Sequence, residues 1–187
     1  MSSLFDFAEF PTIQTTRLVL REIVLDDRDD IFAIRSDFAV THHNIGAAYA
    51  EPQQAIDLIR SMRDGYTHHE ELRWGITLAP NATVIGMCGF NYLDHRDHRG
   101  SIGFDLNQAY WRRGIMTEAV AAMLDFGFNS LGFHRIEADA SADNAASIAL
   151  LHKLGFQDEG RQRDQFLEDD TYHDLLLFSL LANEWRG

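Results

Sequence analysis

Residue types and spacings suited to chemistry concentrate in one part of the chain. It runs Ile102-Gly103-Phe104-Asp105-Leu106 and then Tyr110-Trp111-Arg112-Arg113-Gly114-Ile115-Met116-Thr117-Glu118-Ala119. This reads as a strand, a tight basic turn with a glycine, and the start of a long helix. A helix N-terminus presents unpaired N–H groups and positive dipole to a phosphate, so the stretch is a candidate pyrophosphate cradle. The same pattern fits an ordinary strand-to-helix turn in which glycine supplies backbone freedom and two arginines are solvated. Both readings stand at this point. A GxxxxGK[ST] phosphate loop would need a lysine that the stretch lacks, and a dinucleotide fingerprint would need the glycines of GxGxxG.

Other constellations are weaker. His42-His43, His68-His69 and Asp94-His95-Arg96-Asp97-His98 contain metal-ligating residue types, but neighbours in a strand face opposite ways, and no HExxH pattern or cysteine partner accompanies them. No functional metal is expected. Cys88 is the only cysteine, which excludes an intrachain disulfide or a zinc ribbon, and in a buried strand it would act as a small hydrophobe. Glu168-Asp169-Asp170 could receive a basic peptide, or be a solvated loop.

These residues must be positioned by a regular framework. Strand patterns occur at 17–23, 72–78, 83–92, 101–106, 135–140, 156–160 and 172–181. Asp26 is placed to cap a short acidic helix carrying Ile31, Phe32 and Ile34, and Pro52 opens a second helix with Ala55, Leu58, Ile59, Met62 and Tyr66 on one face. From Ile115 to Leu131 the pattern is a largely buried helix, with Glu118, Asp125 and Asn129 on a narrow solvent strip and Gly132 as its stop. Asp143 or Asn144 caps a helix with Ile148, Leu151 and Leu154 as its apolar stripe. Two consecutive hairpins followed by strands alternating with helices predict an α/β (α+β) mixed sheet.

The chain has 187 residues, 45% of them hydrophobic, with 16 Lys and Arg against 29 Asp and Glu, a net charge of −13. One domain, 1–187, is expected, with residues 1–15 as a loosely packed lead. The charge opposes nucleic acid and anionic membranes as partners and favours cationic ones. No apolar run approaches the ~20 residues of a membrane span and the N-terminus lacks a basic leader pattern, so a cytoplasmic location is expected.

The block Trp111 to Ala119, followed by Asn144-Ala145-Ala146-Ser147 and Leu154-Gly155-Phe156-Gln157-Asp158-Glu159-Gly160, resembles the GNAT superfamily of acetyl-CoA-dependent N-acetyltransferases, and within it the RimJ/RimL-like branch. Thr16-Arg17-Leu18-Val19-Leu20-Arg21, Ile85-Gly86-Met87-Cys88-Gly89-Phe90, Tyr172-His173-Asp174 and Leu180-Leu181 extend the likeness over nearly the whole chain. Each piece alone is weak; their order and spacing together are specific.

The resemblance implies a single-domain GNAT fold, with a mixed sheet of about seven strands splayed in the middle and helices on both faces. Acetyl-CoA would lie in the wedge as co-substrate. Phe104, Asp105 and Leu106 would offer backbone groups to its acetyl and pantetheine parts. Arg112, Arg113, Gly114, Ile115, Met116 and Thr117 would surround its pyrophosphate, and Asn144 would help hold it. Ser147 would act as general acid toward the departing thiolate; it also fits a plain capping residue. Leu151 stands where many members carry a tyrosine, and Ser101 where many carry a glutamate. Glu22, Asp94, His95 and Glu168 are bases by residue type alone.

The implied activity is acetyl transfer to a primary amine by direct attack. In this branch the acceptor is commonly a protein N-terminal α-amine, including those of ribosomal proteins; a small-molecule amine is the alternative. A catalytically silent acyl-CoA-binding sensor and, more remotely, a nicotinamide-nucleotide-binding domain are the rivals. The resemblance leaves room for a homodimer.

Overall fold

The computed structural model of the protein describes residues 5–43, 48–168 and 170–187. Its strands are β1 (Ile13–Gln14), β2 (Leu18–Arg21), β3 (Leu72–Leu78), β4 (Val84–Asp94), β5 (Arg99–Leu106), β6 (Arg135–Ser141), β7 (Gln157–Glu168) and β8 (Thr171–Leu181). The helices are α1 (Arg28–Arg35), α2 (Phe38–Thr41), α3 (Pro52–Thr67), α4 (Ile115–Asn129) and α5 (Ala145–Lys153). All eight strands join one sheet in the order β1-β2-β3-β4-β5-β6-β8-β7. The strand beyond the expected seven is β1, whose two residues are too short to leave a period in the sequence.

The chain enters as an antiparallel meander from β1 to β5, as the two hairpins predict. The β5–β6 contact is parallel and holds only over Arg99↔Arg135, Gly100↔Ile136 and Ser101↔Glu137. Beyond those rungs β5 continues to Leu106 and β6 to Ser141 without pairing, so the sheet splays and the facing main-chain groups of the two strands line a wedge. Register on either side is maintained by long antiparallel ladders, β4 with β5 and β6 with β8. The wedge is therefore a property of strand order, with rigid walls.

Helices cover both faces. Cys88 and Phe90 of β4 belong to the cluster with Ala119, Val120 and Met123 of α4, whereas Met87 belongs to that with Ile31, Ile34, Ala55 and Ile59 of α1 and α3. The strand alternation thus distributes its side chains between the two cores. Gly127 lets α4 lie close on the sheet, since a Cβ there would stand 2.6 Å from the Phe90 ring.

Several boundaries differ from the sequence pattern for identifiable reasons. Helix α1 starts after Asp27, with Asp26 exposed. Asp27 is buried and accepts hydrogen bonds from the Val24 N–H and from both Arg21 Nη atoms, each at 2.8 Å, and Arg21 compensates its charge. Strand β7 runs past Gly160 to Glu168 because β8 supplies a pairing partner for an exposed polar segment with no apolar period of its own. The expected N-terminal lead places Phe5, Phe7 and Phe10 against the core, and Pro11 accepts a 2.7 Å hydrogen bond from the indole of buried Trp74.

The strip on α4 is not left to solvent along its length. Glu118 accepts from Thr15 Oγ1 at 2.6 Å, from the Arg17 N–H at 3.0 Å and from Arg17 Nε at 2.6 Å, while Asp125 accepts from Trp185 Nε1 at 2.6 Å. It anchors both ends of the chain.

Candidate active site

The turn between β5 and α4 is built by local capping. Asn107 accepts from the Ala109 N–H and starts a single helical turn, Gln108–Tyr110, and Trp111 Nε1 donates to the Leu106 carbonyl at 2.7 Å, tying the turn back to its strand. Arg112 at φ 59° and Gly114 at φ 71° then reverse the chain into the helix. Gly114 tolerates this left-handed conformation; any residue with a Cβ would be strained there. No side chain caps α4, so its first N–H groups face the wedge without a partner of the kind Asn144 gives α5. Uncapped donors with helix dipole behind them are suited to a pyrophosphate.

A cavity of about 590 Å³ occupies this end of the wedge. Phe104, Asp105 and Leu106 of β5, Arg112 and Gly114 of the turn, Ile115, Met116 and Thr117 of α4, and Asn144 and Ser147 of α5 all line it. Of the residues that the resemblance assigns to acetyl-CoA or to the general acid, only Arg113 does not. Its guanidinium lies 5.5 Å over the Tyr110 ring, and its carbonyl accepts from Arg17 Nη1 at 3.0 Å. Lys153, unmarked by any motif, adds a cation to the same wall.

Asn144 caps α5 by accepting from the Ser147 N–H at 3.1 Å, which decides between the two caps the sequence offers. The Ser147 hydroxyl makes no hydrogen bond among the described residues, so it is not spent on capping. Leu151 is fully buried in the core, on the other side of the helix from the cavity.

A second cavity of about 330 Å³ opens from the first across β5 and β6. Its polar lining was invisible in the sequence: Arg35, Arg73, Asn91, Asp139 and Ser141 come from four different elements. Arg35 Nη1 donates to Asp105 Oδ2 at 3.1 Å, with the two side chains 15% and 6% exposed. Burial holds the Asp139 carboxyl above the usual range. His43, Phe104, Asp105, Asn144 and Ser147 belong to both cavities and mark where they meet.

The bases suggested by residue type lie elsewhere. Glu22 is exposed, Asp94 accepts from two backbone N–H groups and from Arg99, and His95 Nε2 is 2.7 Å from the His69 carbonyl. Asp169 of the acidic run and the Glu168 side chain lie outside what is described. Burial pushes the Cys88 thiol up to about 12, and with no exposure it cannot serve as a nucleophile. Among the described residues no three His, Cys, Asp or Glu side chains form a group able to hold a metal.

A family model described as an acetyltransferase (GNAT) domain matches residues 17–157. The chain belongs to the GNAT family of N-acetyltransferases. An uncharacterized N-acetyltransferase p20 of Bacillus licheniformis is 38% identical over 176 residues, which is 94% of this chain and 99% of that one. The [ribosomal protein uS5]-alanine N-acetyltransferase of Escherichia coli is 31% identical over 103 residues, 54% of this chain and 53% of its own length. Mycobacterium smegmatis RimJ, solved in complex with CoA-disulfide, superposes with a TM-score of 0.78 at 25% identity, covering 89% of this chain and 83% of that one. The splayed mixed sheet is thus the GNAT fold, and the nicotinamide-nucleotide reading is set aside. Among the described residues no helix is long and apolar enough to cross a membrane.

The start of α4 is pinned to the N-terminal segment by Glu118. Burial opposes ionisation of its carboxyl, but hydrogen bonds from Thr15 and from the Arg17 side chain and backbone outweigh it and hold the group below the usual carboxylate range. A lowered folded-state value stabilises above the unfolded value of about 4.3 and is lost as pH falls through the folded one. Glu118→Gln is expected to lose about 1–2 kcal/mol of unfolding free energy at pH 7. That difference should shrink in urea titrations as the pH is lowered below the unfolded value and through the folded one.

Proposed function

We propose that the protein transfers an acetyl group from acetyl-CoA directly to a primary amine, and that the acceptor is a protein N-terminal α-amine, as in the RimJ/RimL-like branch. The observation that carries this is the meeting of two cavities at Ser147, one suited to an anionic cofactor and the other to an acceptor. The first N–H groups of α4 would take the pyrophosphate, and Arg112 and Lys153 would supply local positive charge against a chain of net charge −13. The unpaired edge of β5 at Phe104, Asp105 and Leu106 would bind the pantetheine and acetyl parts through the main chain. Acetyl-CoA, when bound, supplies the activated thioester.

An amine is protonated at neutral pH and loses two protons overall. Ser147, with its hydroxyl at the junction, would pass one to the departing sulfur. The acceptor assignment draws on the E. coli relative, which acts on the alanine of a ribosomal protein, and on the acidic surface, which suits a basic partner. With a ribosomal acceptor the enzyme would work in the cytoplasm.

Acetyl-CoA at 100 times its Kd should add about 2.7 kcal/mol, raising the thermal midpoint by about 5–10 °C for a domain of this size. Thiol release should then follow with peptides bearing a free N-terminus and vanish when that terminus is formylated. No rise at millimolar acetyl-CoA would overturn the cofactor assignment. Binding without turnover on any amine would make the chain an acyl-CoA sensor.

A further inference from the structure

We propose that His43, oriented by Asp143, is the catalytic base that takes the first proton from the acceptor amine; this rests on the acetyltransferase reading above. The attacking nitrogen and the thioester carbon must come within about 3–3.5 Å of each other, so deprotonation has to occur where the two cavities meet. Of the five residues common to both cavities, two carry titratable side chains, His43 and Asp105. Asp105 is engaged by Arg35 in a buried ion pair. His43 is the junction residue whose neutral form can accept a proton near pH 7.

The imidazole is held from across the wedge. Its Nδ1 lies 3.2 Å from Asp143 Oδ1, so the carboxylate favours a proton on that nitrogen, which would leave Nε2 as the accepting atom. Asp143 is itself fixed: Ser141 Oγ donates to Oδ1, and His173 Nδ1 stands 3.8 Å from Oδ2. The Ser141 hydrogen bond, with the nearby His43 and His173, outweighs burial and holds the Asp143 carboxyl below the usual range. An ionised Asp143 favours the imidazolium that proton abstraction creates. Among the described residues, the other charged and histidine side chains lining the two cavities with His43 are His42, whose ring centre is 3.8 Å away, Arg112, Lys153, the Arg35–Asp105 pair, Arg73 and Asp139.

The protons balance. The ammonium gives one proton to His43 Nε2, and the neutral nitrogen attacks the acetyl carbon. As the C–S bond breaks, a second nitrogen proton leaves and one reaches sulfur through Ser147. The imidazolium then releases its proton to solvent, so one proton is freed per turnover.

The test is steady-state acetylation of an N-terminal peptide from pH 5.5 to 9 by the unsubstituted enzyme, His43→Gln and Asp143→Asn. For the unsubstituted enzyme kcat/KM should fall on the acid side as His43 becomes protonated. His43→Gln should lose about 10²-fold in kcat at pH 7.5 with acetyl-CoA affinity and thermal midpoint kept, and its residual rate should follow the free α-amine, about pKa 8. Asp143→Asn keeps the ring but not its charge partner and should lose about 10-fold in kcat. If His43→Gln lowers the thermal midpoint, the Asp143→Asn pH profile decides instead. A His43→Gln kcat within about 3-fold of the unsubstituted enzyme, or a loss confined to KM, overturns the role. Failure of the unsubstituted enzyme to turn over any amine overturns the acetyltransferase reading itself.

Discussion

Ser147→Ala is expected to lower kcat by about 10²-fold, with the Kd for acetyl-CoA changed by less than about 3-fold. The asymmetry follows from how the residue is held. Its backbone N–H, which the Asn144 side chain caps at 3.1 Å, survives the substitution, so the start of α5 and the cavity wall remain in place. Its hydroxyl has no partner among the described residues, so removing it breaks no structural bond. A merely structural serine would show the opposite pattern: normal kcat with altered stability. Isothermal titration with acetyl-CoA and thiol-release kinetics on the same preparation separate the two, and an unchanged kcat would end the general-acid assignment.

Asp105→Asn is expected to cost about 3 kcal/mol of unfolding free energy, measured by urea titration at pH 7. The substitution preserves shape and removes the anion facing Arg35, whose Nε is already buried without an acceptor among the described residues. What remains is a guanidinium 15% exposed with its compensating charge gone. The double variant Arg35→Met with Asp105→Leu should recover most of the loss, because two apolar groups incur no desolvation penalty. A cost below about 1 kcal/mol for Asp105→Asn would mean that solvent, and not Asp105, balances Arg35. The pair joins α1 to β5 at the junction of the two cavities, so the double variant should be stable yet impaired toward the acceptor.

How much of this was legible in advance depended on distance along the chain. The strand-turn-helix from Ile102 to Ala119 was readable because alternation, a glycine in the left-handed region and a helix start are all written within a few residues. The cap on α5 was readable for the same reason, down to a choice between Asp143 and Asn144. Two local signals misled: Asp26 looks placed to cap α1, whereas Asp27 precedes the helix with its carboxylate held by Arg21 and the Val24 N–H, and the mostly polar residues 161–168 carry no period although β8 draws them into a strand. Arg113 and Arg112 were indistinguishable by type, and only the path of the turn sends one into the cavity and the other over Tyr110.

By itself the sequence determined the framework: seven strand and four helix segments, their faces, and the basic helix start suited to a phosphate. Those properties come from side-chain period and backbone preference, which act over one or two turns. The tertiary structure alone decided the wedge, because strand order lets β5 and β6 pair for three rungs and then part. It alone brought His43 against Asp143, Arg35 against Asp105, and Glu118 against Thr15 and Arg17. Each of those contacts joins residues about 70 or more positions apart, where no periodicity reaches and only the packing of helices across a common sheet sets who meets whom.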